Sequence, residues 1–310
     1  MLLATNPIQR KVLIEIDGSQ AEARVVARLC TALAGKSRFD DVFISGRLIH
    51  KVIASIIYKV PEESVQKDNT PGSMYYTAKR AMHAYDNGMG PQKFAILTRK
   101  TVWEAKLLLE TCAKEFPEVV NYFHPWCIET AKKDRTMVNA YGRPHTFLDK
   151  WDDELFRRLF TYFQQSSIGD HVKLAMSDFD DLNQPAWEAD LLMESHDAFA
   201  YQVLAHPQYI WDSFHLAKSL MERPFPVLQL NLSVPAEGGM GRSWRHKYSF
   251  KTAEDVERLL RKLRYTNAEA TRLHQGLHDT HRGPRSPRDF PLLDSPRNPS
   301  SSSQAESMDR

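Results

Sequence analysis

The sequence predicts an α+β fold, an antiparallel sheet carrying Asp17 and Asp197 with a helical insertion between them. Three observations predict it. Val12, Leu13, Ile14 and Ile16 form an apolar, β-rich run that delivers Asp17 to the end of a strand. Residues 191–203 read as two β-rich arms around a polar tip, a hairpin presenting His196 and Asp197 at its turn. Between these strands, residues 38–115 carry mostly helical patterns.

The elements follow from local punctuation. Residues 1–30 read as strand, turn and helix, with Val25, Val26 and Leu29 on the helix's apolar face. Helices are expected over 48–58, 74–86 and 92–112, the first two separated by Pro61 and Pro71. A short hairpin is expected around Gly142, within 135–147, and helical structure over 150–181. Gln164, Gln165, Ser166 and Ser167 are placed just ahead of a helix that starts near His171. Residues 225–234 read as a strand and 252–277 as a charged helix. From about His278 the chain turns to Pro, Arg and Ser, a composition that cannot bury a core and predicts disorder over 278–310. A nucleic-acid-binding tail is the functional alternative there, opposed by equal numbers of Arg and acidic residues.

Several residues suggest chemistry. A carboxylate at a strand end beside a backbone carbonyl suits Mg²⁺, which takes one or two carboxylates plus substrate phosphates. Asp17 equally suits a surface position capping the helix that follows. His196-Asp197 fits either a metal phosphohydrolase or a partner for Asp17 across a sheet. In the second case the two carboxylates hold a pair of Mg²⁺ ions that clamp the oxygens of a phosphoryl displacement. Tyr75, Lys79, His83 and Asn87 recur every four residues, so they share one helix face. That face is polar and cationic, as a triphosphate requires, and a solvated surface gives the same pattern. Arg157 and Arg158 offer charge to a nucleic-acid backbone.

Taken in order, these segments resemble the family A DNA polymerases, most closely their phage branch. Asp17-Gly18-Ser19-Gln20-Ala21-Glu22-Ala23-Arg24 resembles motif A. Lys79 through Gly88 resembles motif B, and His196-Asp197 resembles motif C. Gln165-Ser166-Ser167 with Asp170 resembles the segment before the palm hairpin. Gly46 through Lys51 resembles the fingers segment that reaches the triphosphate. Gly142-Arg143-Pro144 resembles the turn before the second Gln segment, and Pro235, Gly241 and Trp244 resemble the C-terminal palm. The chain departs from the pattern at Asn87, where an aromatic stacks on the template base. It departs again at Ala198, which replaces the Glu of motif C, and at Leu48, which stands where Asp is common.

The resemblance implies a set of roles. Asp17 and Asp197, with the Gly18 carbonyl, would hold two Mg²⁺ ions. Lys79 would neutralise the triphosphate and protonate the departing pyrophosphate. Gln20 and His50 would touch the phosphates, Glu22 would sit under the sugar, and His83 would lie one turn beyond Lys79. Arg157 and Gln165 would hold template or primer, and His196 would contact the primer end. The implied organisation is palm over 1–37, fingers over 38–130, palm over 131–277 and a tail over 278–310. Sixteen residues precede Asp17, so the resemblance implies a palm-and-fingers portion with thumb and exonuclease domain absent. The implied partners are a DNA primer–template, dNTPs and a separate thumb or exonuclease polypeptide. The competing function is a non-catalytic nucleic-acid-binding or assembly module that kept the fold.

Composition narrows the field modestly. The apolar fraction is 42% and the charged fraction 26%, ordinary for a globular chain. A net charge of +2 gives no global attraction to nucleic acid, so any attraction comes from a local patch. Cys30, Cys112 and Cys127 show no metal-ligand spacing and read as reduced thiols of a cytoplasmic protein. No apolar run reaches the roughly 18 residues of a membrane span.

Overall fold

A computed structural model describes residues 11–263 of the chain. The chain divides after Ala270, and the unit Met1–Ala270 holds all of the described residues. The expected tail over 278–310, and the part of the expected C-terminal helix beyond 263, lie outside the described residues.

The first strand, β1 (Lys11–Gly18), leads through a left-handed Gln20 into α1 (Ala21–Ala34), which ends on Gly35. The helices α2 (Arg38–Ile44), α3 (Ile49–Tyr58), α4 (Met74–Asp86), α5 (Pro91–Thr98), α6 (Val102–Glu115) and α7 (His124–Lys132) follow. A short hairpin of β2 (Thr136–Val138) and β3 (Pro144–Thr146) precedes α8 (Asp153–Leu182). Next come β4 (Asp190–Ser195), β5 (Ala198–Leu204), α9 (Pro207–Met221), β6 (Phe225–Val227), β7 (Leu230–Leu232), β8 (Ala236–Ser243), β9 (His246–Ser249) and α10 (Ala253–Lys262).

The main sheet has the order β4-β5-β1-β8-β9, antiparallel throughout. Its centre is β1, whose Val12, Leu13, Ile14 and Ile16 are fully buried. Burial on both faces explains the nearly continuous apolar run, since Lys11–Ile14 are buried on both sides and the strand meets water only toward its end, at Glu15 and Asp17. Helix α9 packs on β1, β5 and β8, and α10 packs on α9. The helices between β1 and β2 are held by α3 on α4, α4 on α6 and α5 on α6.

The α+β class, the first strand and helix, the helix at 74–86 and both expected hairpins agree with the structure. Three local expectations need correction. The segment 92–112 is two helices, because Arg99 adopts the left-handed region and Thr101 starts α6 with a reciprocal capping box to Glu104. Gln164 to Ser167 do not precede a helix; they lie inside the 30-residue α8. An interior Gly169 costs only about 1 kcal/mol in helix propensity, while Phe163, Ser167, Ile168, His171 and Val172 are all buried along that stretch. Residues 225–234 form the small hairpin β6–β7 rather than one strand. Beyond these, the sequence reading contains neither β8 nor α9. The β8 run Ala-Glu-Gly-Gly-Met-Gly has little β propensity. Its glycines answer to close packing: a Cβ on Gly238 would meet the Phe214 ring at 2.3 Å.

Candidate active site

A cleft of about 460 Å³ opens where the C-terminal end of β1, the β4–β5 turn and one face of α4 meet. Sheet register builds its acidic wall. Asp17 sits opposite Ala198 on β5 and opposite Glu237 on β8. Asp197 occupies the two-residue β4–β5 turn beside a left-handed His196. The Gly18 amide donates to the Asp197 carbonyl at 2.9 Å, which fastens the turn to the end of β1. A Cβ at Gly18 would approach that carbonyl and Val234 at 3.3 Å, so a side chain there crowds the junction.

The opposing wall is helical. Ser73 caps α4 by accepting from the Tyr76 amide, and the four-residue spacing then turns Tyr75, Lys79, His83 and Asn87 into the cleft. Asn87 is tied to α8: its Oδ1 accepts from the Thr161 hydroxyl at 2.7 Å and from the Gln164 amide at 3.1 Å. The same end of α4 is held by His124, whose ring contacts the Asp86 carbonyl at 2.9 Å and stacks on Phe160.

Charge is unevenly compensated across the cleft. Asp17 is exposed at the cleft yet crowded by protein; that desolvation, with repulsion from Asp197, Glu15 and Glu237, lifts its pKa to about 7 against the pull of Lys79. Asp197 is also raised, chiefly by burial, with the His196 ring opposing. Lys79 makes no ion pair among the described residues. Glu22 is nearly buried, 3.0 Å from His196 Nε2 and 3.7 Å from His83 Nδ1. Burial pushes its pKa up, but the two histidines outweigh that and hold it below the usual carboxylate range. Burial drives His50 well down, so its ring is neutral, with Nδ1 3.4 Å from the Tyr75 hydroxyl.

Nearly all residues singled out from sequence converge here. Asp17, Gly18, Gln20, Glu22 and His50 line the cleft, as do Lys79, His83, Gln165, His196 and Asp197. Gln20 does two things: its Oε1 accepts from the Ile49 amide at 3.1 Å, docking α3, and its buried Nε2 has no hydrogen-bond partner. Arg157 is the exception. It lines a neighbouring cavity of about 380 Å³ with Lys93, His145 and Tyr162, and Asn87 borders both spaces. Arg158 is less available for nucleic acid than its sequence position suggests, because it pairs with Asp149 and lies over the Phe147 ring. Sequence reasoning missed Glu237 and Lys67, both of which line the cleft. Glu237 lies in the glycine-rich strand and Lys67 in irregular chain before α4, so neither carried a periodic signal.

The donor set can be tested against a metal. Among the described residues no group of three or more His, Cys, Asp or Glu side chains is placed to hold one. Two crowded carboxylates with raised pKa values, facing an open cleft, fit instead a hard cation that completes its shell with water and phosphate oxygens. Among the described residues no helix is long and apolar enough to cross a membrane.

Comparison with known proteins bears on this cleft. Residues 3–246 match the family model described as DNA polymerase family A. The chain is 28% identical over 240 residues to the thermostable DNA polymerase I of Thermus thermophilus, covering 75% of this chain and 27% of that protein. It is 24% identical over 241 residues to DNA polymerase I of Mycobacterium tuberculosis strain H37Rv, covering 75% of this chain and 25% of that one. The chain thus spans about a quarter of the length of the curated relatives it matches. Among solved structures, the fold resembles the POL domain of Pol1 from M. smegmatis in complex with DNA primer-template and dNTP. That match has a TM-score of 0.63 and 22% identity, and covers 78% of this chain and 41% of the other.

Proposed function

The chain belongs to DNA polymerase family A, and from that premise we propose that it carries the palm and fingers of a DNA-directed DNA polymerase, adding dNTPs to a primer on a template. The observation that carries this reading is the convergence of Asp17 and Asp197 on one cleft with Lys79 facing them from α4. The main sheet corresponds to the palm, from 1–37 and 131–277, and the helices within 38–130 to the fingers.

Asp17, Asp197 and the Gly18 carbonyl would hold two Mg²⁺ ions, which when bound supply a charge clamp on the attacking and leaving oxygens. Lys79 binds the triphosphate and gives its proton to the departing pyrophosphate. The partnerless Gln20 Nε2 and the neutral His50 ring stand ready to donate to phosphate oxygens. Glu22, held by His83 and His196, lies under the sugar. His196 contacts the primer end, and Gln165 with Arg157 holds the duplex. The phage branch is proposed within the family from the likeness of the ordered motif segments, and the cytoplasm, of a host cell if phage-encoded, as the location. A separate thumb-bearing polypeptide is proposed as the partner that grips the duplex, since two linked sets of contacts on one duplex bind more tightly than either alone.

Primer extension with purified protein and Mg²⁺ tests the reading, with Asp17→Ala as the control and a thumb-bearing polypeptide added in a parallel arm. Template-directed extension lost in the control supports it; no extension in either arm refutes it. A non-catalytic DNA-binding role is the second reading. Asn87 favours it, since its amide is committed to His83, Thr161 and Gln164 where an aromatic ring would meet the template base. Primer–template binding without extension is its signature.

A further inference from the structure

Lys67 lies in irregular chain between α3 and α4 and lines the same cleft as Lys79. Its Nζ is 2.9 Å from Glu237 Oε2, a contact that joins the loop before α4 to β8. Both side chains are about half exposed, 50% and 58%. Glu237 is itself poorly placed, because it faces Asp17 in the sheet register and helps raise that carboxyl's pKa.

The cleft is short of cations for a triphosphate. Along the α4 face and its C-terminal cap, Tyr75 offers a hydroxyl, Asn87 is tied to α8 and burial holds the His83 pKa down. Arg80 reaches the lining but lies over the Tyr76 ring. His196, on the β4–β5 turn, is engaged by Glu22, which leaves Lys79 from the helix and Lys67 from the loop as the lysines of the lining. An exposed Lys–Glu pair contributes only about 0–1 kcal/mol, whereas several phosphate oxygens attract an ammonium more strongly than one carboxylate does. Lysine's long, flexible stem and point-like charge suit a partner exchange of this kind.

We propose that Lys67 is a second triphosphate-binding cation: it leaves Glu237 for the phosphates when nucleotide enters, and Glu237 competes with the nucleotide for it. The proposal rests on the polymerase reading above and assigns a residue to that site that neither motif nor spacing marked.

Steady-state incorporation on a primer–template tests it with wild type, Lys67→Ala, Lys67→Arg, Glu237→Gln and the double variant. Lys67→Ala should raise KM for dNTP about tenfold while kcat changes less than about twofold, and Lys67→Arg should restore most of the loss. Glu237→Gln should lower KM in the wild-type background and leave it unchanged in the Lys67→Ala background. Direct binding should show the Lys67→Ala loss with a deoxynucleoside triphosphate and not with the monophosphate. An unchanged KM in Lys67→Ala, or equal losses for both nucleotides, overturns the proposal while leaving the polymerase reading intact. A wild-type chain that neither binds nor incorporates nucleotide, with or without a thumb-bearing polypeptide, overturns both.

Discussion

The two walls of the cleft are built on different principles. The sheet wall places its carboxylates by register: Asp17 lies near the end of a central strand with a buried apolar run and neighbours on both sides, and a backbone hydrogen bond pins the Asp197 turn to it. The helical wall places Lys79 by periodicity on α4, whose far end is secured by side-chain contacts from Asn87, Thr161, Gln164 and His124. Backbone ladders resist displacement along their whole length, while a few side-chain hydrogen bonds of about 1 kcal/mol each can be exchanged. On the proposed function, the groups that would hold metal therefore stand on the sheet, and the groups that would follow a nucleotide stand on the helix and the loop before it.

Breaking the sheet wall's chemistry should have the largest effect. Asp197→Asn keeps the turn and removes a charged oxygen; single-turnover incorporation should fall on the order of a thousandfold, the scale of losing a principal electrostatic group. Full activity would assign the chemistry elsewhere. On the helical wall, Lys79→Ala should cost roughly a hundredfold in kcat/KM, with Lys79→Arg partly active. A loss confined to KM would make Lys79 a binding group only. Gly238→Ala asks whether the sheet wall is as rigid as its register implies. The added methyl meets Phe214 in a closed space, so unfolding free energy should drop by about 1–3 kcal/mol. A neutral result in a denaturant titration would show that α9 yields.

The smallest effect is electrostatic. Asp17 has a folded pKa of about 7, raised from 3.8 by desolvation and then by Asp197, Glu15 and Glu237. Folding then takes up a proton between about pH 4 and 7, so its contribution to stability falls as pH rises through that window. In metal-free buffer Asp17→Asn should melt above wild type at pH 8, with the gap closing near pH 4. A pH-independent gap would remove the proposed charge crowding, and the contrast between the walls would then rest on geometry alone.

Much of this cleft was legible in the sequence because its parts are local. A strand that ends in a carboxylate, a helix face repeating every four residues and a hairpin with a two-residue tip can each be recognised within about ten positions, and each reappears in place. Gln165, expected to hold template or primer from the approach to a helix, lines the cleft from the middle of α8. The sequence by itself determined the α+β class, the family resemblance and the charged residues Asp17, Glu22, Lys79 and Asp197 of the cleft, since these depend on residue type and short-range period. Only the tertiary structure decided that β8 lies beside β1, that Glu237 faces Asp17, that Lys67 reaches into the cleft and that Arg157 lines the neighbouring cavity instead. Those placements come from strand pairing and packing between segments up to more than two hundred positions apart. The glycines that allow them add no hydrophobic period and are shaped by the Phe214 ring and the β9 backbone they pack against.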